Sequence, residues 1–582
     1  MNEPRTNVQY DVAIVGGGVS GIYTGWRLLD AGFSSDLLKS WASARGKLDI
    51  CVFEGSERIG GRLLSARPPG MPHVICEIGG MRYISTQKLI RSLVENKLQL
   101  PRHDQFVDDP NNLALLRGKH LRMRQLQDPS KLPYNLSWAE ADWIQKSPDD
   151  APAALIAWAI SQVLPETTKL HGDQLREYLK RAKIDGTPLY RHGFWNLLAR
   201  SMSSEARMLA RTMVGYDCLG DNANALDTAL EYFDFTPGEK YYLLDGGYEE
   251  VPWILEQKFT ALGGTVEKGS WLTGFDIATL DDNTRGVILY FANGHASIKA
   301  RAIVLAMPRR SLELLQRLGP ILDPAKAPKM QYLLSSVKPV PLFKVFIAYG
   351  YPWWEAMGVS KGRSMTDLPI RQCYYWAIEG NQPGADPNNR NAVLMAYSDA
   401  LSVEFWGGLR PLPTGPVAAK SPSAAARARI ANESADSQFL FQRQPMPHAD
   451  AGGNAGDDLS KLLVKNWVDH EAPAELVAET HRELVDLHGV DYSPDPLEAA
   501  YMDWADDPFG GGVHLWNPGY RSWLILDQMT KPVDDFPCYI CGEAYSTNQT
   551  WVEGALQTAE LVLQNHFGLA APDWITDGDE GR

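Results

Sequence analysis

Three glycines near the start of the chain have the spacing that binds a pyrophosphate. Gly16, Gly18 and Gly21 form a G-x-G-x-x-G pattern directly after the apolar run 12–15. The first glycine allows a tight turn, the second lets a phosphate approach the backbone, and the third lets the next helix pack on the strand. Free N–H groups at the start of that helix favour negative charge. We therefore predict a dinucleotide site on a strand–turn–helix unit.

The acid that such a site uses for ribose hydroxyls is predicted to be Glu54, at the end of the apolar run 50–53. It lies further past Gly21 than the usual distance of about 20 residues. An insertion around 34–47 accounts for the difference. The alternative interpretation is a glycine-rich turn in another kind of α/β protein.

Two further segments combine paired glycines with arginine. Gly60 and Gly61 precede Arg62, and the segment 77–83 repeats this arrangement with Arg82. Both predict close backbone approach beside a positive charge. No serine–histidine or metal-binding constellation is apparent. The six cysteines are scattered and imply no disulfide framework. The C-x-x-C at 538–541 lies in an apolar run, which favours a buried strand.

Length and charge limit the class of protein. At 582 residues, the chain predicts two or three domains. Its 44% apolar and 22% charged residues are ordinary for a soluble protein. A net charge of −15 argues against nucleic acid and anionic membranes as partners. Residues 1–9 show no signal peptide and no run is long enough to span a membrane, so a cytoplasmic location is expected.

The predicted secondary structure changes several times along the chain. Helical periodicity dominates 135–236, and an α/β pattern restarts near 243. Apolar strands follow at 302–308, at 342–348, where Lys344 is enclosed, and at 392–397. Residues 409–458 are rich in Pro, Ala, Ser and Gly, which predicts an insertion, either disordered or an oligomer arm. We predict a homodimer or a higher homo-oligomer.

Taken together, these landmarks resemble the flavin amine oxidase family and, within it, the L-amino acid oxidases, including the venom type. The likeness spans nearly the whole chain, apart from 34–47 and 409–458. The matching segments are 16–21, 54–62, 79–82, 243–248, 306–308, 364–371 before Tyr374 and Tyr375, and 542–543 followed by Trp551.

The resemblance implies an α/β fold with a discontinuous, two-dinucleotide-binding (Rossmann-like) FAD domain, a sheet-based substrate domain and a helical subdomain. The predicted boundaries are 1–64, 237–335 and 531–570 for the FAD domain, 65–134 and 336–530 for the substrate domain, and 135–236 for the helical domain.

The resemblance also implies roles toward FAD. Glu54 binds the adenosine ribose, and Arg62 with its glycine pair lies along the pyrophosphate and flavin. Gly542 and Glu543 meet the pyrophosphate and ribityl chain. The Val552 backbone lies near the flavin pyrimidine edge. These roles fit the residue types, since an acid accepts from two hydroxyls and an arginine faces phosphate.

Two further expectations concern the cofactor. The resemblance adds Gly79 and Gly80 to the residues that bind it. Covalent members of the wider family carry a cysteine after a Gly-Gly pair, whereas here Gly511 and Gly512 are followed by Val513. Noncovalent FAD is therefore expected.

For the substrate, the resemblance pairs Arg82 with Tyr397 on an amino acid carboxylate and adds Trp551. A bidentate arginine suits a planar carboxylate. The family holds a water at flavin N5 with a lysine at the position of Lys344. The alternatives are a phosphate-binding or surface arginine, a core tyrosine, and an outward-facing lysine on an edge strand.

The resemblance implies an FAD-dependent L-amino acid oxidase that uses O₂ and releases a 2-oxo acid, ammonia and hydrogen peroxide. The alternatives are an amine or polyamine oxidase, an amino-acid 2-monooxygenase that decarboxylates, and a non-enzymatic flavoprotein scaffold. Glu231 aligns, by gap-free counting, with an active-site histidine of the venom-type enzymes. Beside aromatic neighbours, it predicts a preference for L-arginine or L-lysine. A solvent-facing glutamate is the alternative.

Overall fold

The computed structural model describes residues 9–42, 46–147, 151–217, 222–234, 239–292, 298–409, 455–506 and 511–575. Two seven-stranded sheets organise these residues. A helical unit between residues 138 and 234 packs beside them. This architecture confirms the predicted α/β class.

The first sheet contains the glycine turn. Gln9–Val15 pairs in parallel with Ile50–Phe53 on one side and with Ile298–Leu305 on the other. The full order is Thr265–Glu267, Ile50–Phe53, Gln9–Val15, Ile298–Leu305, Arg285–Phe291 and Leu272–Thr279, with Cys538–Ile540 also parallel to Ile298–Leu305. These strands come from the three segments assigned to the cofactor-binding domain. Val12 and Ile14 point to one core and Ala13 and Val15 to the other, as a doubly covered sheet requires.

Helices cover the first sheet on the side that carries the glycine turn. Val19–Asp30 begins directly after that turn and packs with Glu250–Ala261 and Val552–Phe567. Their apolar side chains form a core with Val12 and Ile14. The C-x-x-C segment is buried, with Cys538 opening a strand, which confirms the buried-strand prediction.

The second sheet carries the predicted substrate residues. Its order is Glu498–Asp503, Leu342–Tyr349, Ala392–Asp399, Gln372–Ile378, Arg363–Thr366, Leu113–Leu116 and Lys119–Arg122. Val345 and Ile347 contribute to the core on one face, whereas Phe346 joins Met395 and Tyr397 on the other. This period-two alternation decides which side chains share the site.

A small three-stranded sheet combines strands from the segments that were assigned to the cofactor-binding domain and to the substrate domain. Tyr241–Leu244 is its central strand, between Tyr83–Ile84 and Arg102–Gln105. The predicted boundary places Tyr241–Leu244 in the cofactor-binding segment 237–335. Its backbone hydrogen bonds are instead with strands of the substrate segment 65–134, so the two units share this sheet.

The helical unit contains six α-helices among the described residues. They are Trp138–Lys146, Ala151–Val163, Gly172–Arg181, Phe194–Leu198, Ser204–Val214 and Ala225–Asp234. Ser137 caps the first of them in a capping box with Glu140. The helices enclose one apolar core that also receives Met365 from the second sheet.

Shorter elements complete the chain. The remaining α-helices are Asp36–Ala42, Lys88–Ser92, Arg309–Glu313, Met330–Leu334, Leu401–Gly407, Ala455–Asp469, Ala474–His488 and Ser522–Thr530. The short strands are Ser65–Ala66, Cys76–Glu77, Lys183–Ile184, Thr187–Pro188, Val337–Val340 and Val513–Trp516. Most of the predicted insertion 409–458 lies outside the described residues, and a helix begins at Ala455 within it. In the described part of the chain, no helix is long and apolar enough to cross a bilayer.

Candidate active site

The glycine turn has the geometry that its spacing predicts. Gly16 has φ +108°, and a Cβ there would collide with the carbonyl oxygen of Ala306. A Cβ at Gly21 would collide with the carbonyl oxygen of Gly16. At Gly18, the nearest atom to an added Cβ is Cα of Gly61, 3.8 Å away. Two glycines are therefore required by packing, whereas Gly18 leaves open space above the turn.

Glu54 faces this turn from the end of its strand. Its carboxylate accepts hydrogen bonds from the backbone N–H of Gly17 at 2.6 Å and of Ser56 at 2.7 Å. Each ionised oxygen can accept more than one bond, so both keep capacity for hydroxyl donors. The structure thus places the predicted ribose ligand beside the predicted phosphate turn.

Arg62 and Glu543 meet at the other end of the predicted cofactor site. Nη1 of Arg62 donates to Glu543 at 2.7 Å and to the carbonyl of Gly512 at 2.8 Å. The buried carboxylate also accepts from the His514 ring, the His514 backbone and the Thr550 backbone. Burial works to raise the pKa of Glu543, but Arg62 and His514 outweigh it and hold the pKa well below its usual range. Glu543 therefore remains ionised and fixes Arg62.

The backbone around these residues can accept a long cofactor. Gly542 has φ +134°, and the nearest atom to an added Cβ there is the carbonyl oxygen of Met307 at 3.9 Å. The helices that begin at Val19 and Val552 have no side-chain cap at Gly18 and Trp551. Their free first-turn N–H groups and the open space at two glycines fit a pyrophosphate-containing cofactor.

Gly79 joins the cofactor side of the site to the substrate side. Its N–H donates to the carbonyl of Leu64 at 2.9 Å, and the N–H of Gly80 donates to the carbonyl of Arg62 at 2.9 Å. A Cβ at Gly79 would collide with the Arg62 backbone. The glycine pair therefore packs the two arginine-containing segments backbone to backbone.

Lys344 and Tyr397 lie directly opposite each other in neighbouring antiparallel strands. Lys344 is 4% exposed, and its Nζ donates to the backbone carbonyls of Glu77, at 3.0 Å, and Gly79. Burial lowers the pKa of Lys344, Glu77 opposes that shift, and Arg82 adds to it. The lysine is thus buried on a strand that is paired on both sides, which excludes the outward-facing lysine on an edge strand.

Arg82 is also buried, with 7% of its surface exposed. It donates to the Gln105 side chain at 3.0 Å and to the Tyr216 hydroxyl at 3.0 Å. Its guanidinium lies 4.3 Å from the centre of the Tyr241 ring. Among the residues that the structure describes, no carboxylate is paired with Arg82. A buried guanidinium held only by neutral groups favours an incoming anion.

Tyr216 connects Arg82 to Tyr397. The rings of Tyr216 and Tyr397 make an edge contact with centroids 5.5 Å apart. Arg82, Tyr397 and Lys344 are therefore joined through successive contacts, although they are far apart in sequence. We call this group, with Tyr216 and Tyr374, the substrate pocket.

A second arginine adds to the positive charge of the substrate pocket. Arg363 lies opposite Tyr374 in the next strand and donates to Gln372 at 3.0 Å. Among the residues that the structure describes, its buried Nε makes no hydrogen bond, although it forms an ion pair at 3.5 Å with the largely exposed carboxylate of Asp108. Burial works to raise the pKa of Tyr374, but Arg82 and Arg363 outweigh it and lower the pKa. The two arginines therefore favour negative charge at the Tyr374 hydroxyl, whereas burial still raises the pKa of Tyr216 and Tyr241.

Two other predicted residues are placed less directly. Trp551 is half-buried at the residue before the helix Val552–Phe567, close in sequence to the Glu543 cluster. Glu231 is half-buried on the helix Ala225–Asp234, one turn after Asp227. Both have contacts of their own. Their assignment to the substrate remains a prediction.

Sequence reasoning missed several residues of the site. Gln105 and Tyr241 lie opposite each other in the small sheet, and this pairing brings them to Arg82. Tyr216 follows a helix that ends at Gly215 in the left-handed conformation. No local pattern marks these residues. Arg363 could have been predicted from the sequence, because it lies next to the segment 364–371, which resembles the family, on the same strand of alternating side chains.

In the described ranges, no group of three His, Cys, Asp or Glu side chains is placed to hold a metal ion. The site instead combines a glycine turn, an acid beside that turn and a buried cluster of cationic and aromatic side chains. Together with the parallel sheet, these features define an α/β protein with a dinucleotide-type cofactor site and a candidate substrate pocket on a separate sheet.

Comparison with known proteins identifies the family. The model for flavin containing amine oxidoreductases matches residues 19–406 and 431–562. The chain therefore belongs to that family. It is an oxidoreductase, its cofactor is FAD, and the residues described above fit that cofactor.

Individual relatives are distant. The chain is 26% identical to Aplysianin-A of Aplysia kurodai, over 96% of this chain and 90% of the relative. It is 24% identical to an L-amino-acid oxidase of Mus musculus, over 64% of this chain and 52% of the relative. A solved structure of putrescine oxidase bound to putrescine matches with a TM-score of 0.57 and 15% identity, over 96% of this chain and 99% of that chain. The last of these supports the fold alone.

Proposed function

We propose that the protein is an FAD-dependent L-amino acid oxidase. It would convert an L-amino acid and O₂ to an imino acid and hydrogen peroxide, and water would hydrolyse the imino acid to a 2-oxo acid and ammonia. Bound FAD supplies the hydride acceptor and the reaction with oxygen. The relatives named as L-amino-acid oxidases support this proposal.

One observation carries the proposal. Arg82 is buried beside aromatic rings and, in the described part of the chain, has no carboxylate partner. An amine substrate has no anion to offer it, whereas the α-carboxylate of an amino acid can accept two parallel hydrogen bonds. Tyr397, beside Lys344 and Tyr216, would orient the same group. The pocket would thereby fix Cα relative to the flavin.

The same pocket argues against two of the three alternative activities, and the reaction products decide the third. An amine or polyamine oxidase would need an acid for its cation, whereas Arg82 and Arg363 place positive charge beside Tyr374 in the pocket. An amino-acid 2-monooxygenase would bind the same carboxylate, so products decide between them. A scaffold without activity would not need a buried lysine whose burial is costly.

The experiment is a product assay on the purified protein. Matched pairs compare each L-amino acid with its decarboxylated amine, such as L-phenylalanine with phenethylamine and L-lysine with cadaverine. Peroxide, ammonia and 2-oxo acid in equal amounts from the amino acid support the proposal. Amide with carbon dioxide indicates a monooxygenase, and turnover of the amine alone indicates an amine oxidase.

Three further predictions accompany the proposal. FAD is bound noncovalently, since Val513 stands where covalent relatives have cysteine, and acid precipitation should release it into the supernatant. The protein is a homodimer or a larger homo-oligomer, which light scattering after gel filtration measures. A preference for L-arginine or L-lysine rests on Glu231 and is tested below.

A further inference from the structure

Tyr216 belongs to the helical unit but contacts the arginine of the substrate pocket. It follows the helix Ser204–Val214 and the left-handed Gly215, which has φ +78°. Nη2 of Arg82 donates to the Tyr216 hydroxyl at 3.0 Å, so this oxygen is an acceptor toward the guanidinium. The single hydrogen of the hydroxyl is therefore free to be donated to another group.

Tyr374 lies where it can accept that hydrogen. The hydroxyls of Tyr216 and Tyr374 are 3.4 Å apart, and Tyr374 donates its own hydrogen to Oε1 of Gln372 at 3.2 Å. Because a hydroxyl has one hydrogen, Tyr374 accepts from Tyr216 in this arrangement. The bonds run in one direction, from Arg82 to Gln372, and the contact between the two hydroxyls is the longest and weakest of them.

Gln372 returns this chain of bonds to the residue before Tyr216. Its side chain is fully buried, and its Nε2 donates to the carbonyl of Gly215 at 2.6 Å. Its Oε1 accepts from Arg363 at 3.0 Å as well as from Tyr374. Both ends of the amide are thus bonded, which fixes its orientation. We call Tyr216, Tyr374 and Gln372 the tyrosine relay.

Asp217 holds Tyr216 from the other side. Its backbone N–H donates to the carboxylate of Asp399 at 2.6 Å. Its own buried carboxylate accepts from the Ser402 hydroxyl at 2.6 Å and forms an ion pair with Arg371 at 3.2 Å. Tyr216 is therefore held on both flanks by residues of the substrate domain, and its hydroxyl is a fixed point for the guanidinium.

Two further contacts fix the plane of the Arg82 guanidinium. Nη1 donates to Oε1 of Gln105 at 3.0 Å, and the Tyr241 ring centre lies 4.3 Å from the guanidinium carbon. A guanidinium has five N–H donors. Gln105 and Tyr216 each take one, and in the described part of the chain Arg82 makes no other hydrogen bond. Arg82 thus keeps donors for a carboxylate while its orientation is fixed.

We propose that Tyr216 is a positioning residue that orients Arg82 for a carboxylate, and that Tyr374 and Gln372 hold its hydroxyl in place. The inference rests on the proposed function, because it takes Arg82 as the receptor of the α-carboxylate. A guanidinium that is already oriented loses less conformational freedom when the anion binds. Removing the Tyr216 hydroxyl should therefore weaken carboxylate binding without removing the positive charge.

The test is a double-mutant cycle with Tyr216→Phe, Tyr374→Phe and the double variant as FAD-loaded proteins. Phenylalanine keeps each ring, and with it the edge contact between Tyr216 and Tyr397. Titration calorimetry measures the affinity for propionate and 3-phenylpropionate, which carry a carboxylate and no amino group. We expect binding to be about tenfold weaker in Tyr216→Phe, which loses a bond to a charged group, and about threefold weaker in Tyr374→Phe.

The double variant separates positioning from a general loss of packing. Because Tyr374 acts through Tyr216, the double variant should bind about tenfold more weakly than the wild type, whereas independent effects would multiply to about 30-fold. Tyr349→Phe is the matched control, since Tyr349 is a buried tyrosine on the other face of the same sheet whose hydroxyl bonds to His481 at 2.9 Å. Its affinity for both carboxylates should equal that of the wild type.

Three results overturn the inference: a wild type that binds neither carboxylate, an unchanged affinity in Tyr216→Phe, and a double variant whose two effects multiply. If Tyr216→Phe does not retain FAD, Tyr374→Phe alone carries the test, and an unchanged affinity in that variant overturns the inference. Carboxylate binding that depends on Tyr216, in a protein that oxidises no L-amino acid, supports the inference and refutes the proposed function.

Discussion

Lys344 lies opposite Tyr397 across two antiparallel strands, with its Nζ 6.0 Å from the centre of the tyrosine ring. The Tyr397 ring in turn makes an edge contact with Tyr216, whose hydroxyl accepts a hydrogen bond from Arg82. A hydride acceptor above Lys344 and a carboxylate on Arg82 would therefore be held on one continuous surface. This relationship motivates the first two predictions.

Replacing Arg82 with methionine should leave FAD bound and abolish most activity toward L-amino acids. The change removes a charge-assisted pair in a desolvated pocket, worth about 2–4 kcal/mol, or a roughly 30- to 1,000-fold loss in kcat/KM. Steady-state kinetics and the flavin spectrum measure both parts. Arg117→Met is the control, since Arg117 pairs with Glu205 at the surface. Near-normal turnover by Arg82→Met would refute the assignment.

Replacing Lys344 with methionine should slow flavin reduction, reoxidation, or both, by about tenfold or more. Methionine keeps much of the length of the side chain but offers no proton and no charge. Stopped-flow absorbance with anaerobic substrate, and then with oxygen, separates the two half-reactions. Unchanged traces in both would remove Lys344 from the site.

The sequence predicts those parts of the site whose residues lie close together in the chain with a characteristic spacing. Gly16, Gly18 and Gly21 follow a strand and open a helix, so their pattern is complete within a few residues. Lys344 stood out as a lysine in an apolar strand. Family resemblance was needed for Arg82 and Tyr397, because nothing in their local segments states that they meet.

The remainder depends on pairings between distant segments. Tyr241 reaches Arg82 because its strand pairs with Tyr83–Ile84, which directly follows Arg82, across the predicted domain boundary. Glu77 precedes the glycine pair, yet its contact with Lys344 exists only because the strand Leu342–Tyr349 places the lysine against its carbonyl. Register and burial are global properties, and no local pattern encodes them.

Replacing Gly18 with glutamate should prevent FAD binding. The position is sterically open, with Cα of Gly61 at 3.8 Å from an added Cβ. A side chain can therefore be accommodated, but it would put a bulky anion where the pyrophosphate approaches. We expect a folded, colourless protein, measured by flavin absorbance and circular dichroism. Gly350→Glu is the control, because Gly350 is exposed, has no positive φ and leaves open space for a side chain. A yellow Gly18→Glu protein would contradict the predicted cofactor position.

His488 should make the protein sensitive to acid. In the neutral ring, Nδ1 donates to the Leu484 carbonyl at 2.6 Å and Nε2 accepts from the Tyr375 hydroxyl at 3.1 Å. Burial lowers the pKa of His488 to about 4, from about 6.5 in an unfolded chain. Because the folded pKa is depressed, its contribution is complete above pH 6.5 and is lost as the pH falls toward 4.

The size of this effect follows from linkage. The shift corresponds to about 3 kcal/mol of unfolding free energy. His488→Asn should lower the melting temperature at neutral pH and flatten its decline between pH 6.5 and 4. His103→Asn, at an exposed pair with Asp245, is the control. Parallel pH curves for the wild type and His488→Asn would contradict the prediction.

The positive charge of the pocket opposes the preference for L-arginine or L-lysine that is predicted from Glu231. Arg82 and Arg363 place positive charge in the described pocket, beside Tyr374. An arginine or lysine side chain would therefore need a carboxylate of its own, on the side away from Arg363. Glu231 is half-buried on a helix that packs in the helical unit, so it can serve only if that face of the helix borders the substrate.

A substrate profile of the wild type and of Glu231→Gln decides this point. If Glu231 pairs with the substrate, L-arginine and L-lysine should exceed L-leucine and L-phenylalanine in kcat/KM, and the variant should lower that ratio about tenfold or more, as a lost charge-assisted bond does. Asp227→Asn is the control, because Asp227 lies one turn earlier on the same helix and accepts from Ser522 at 2.6 Å. Poor oxidation of L-arginine and L-lysine by the wild type shows that the preference is wrong. Good oxidation with an unchanged ratio in Glu231→Gln shows that another residue selects the side chain.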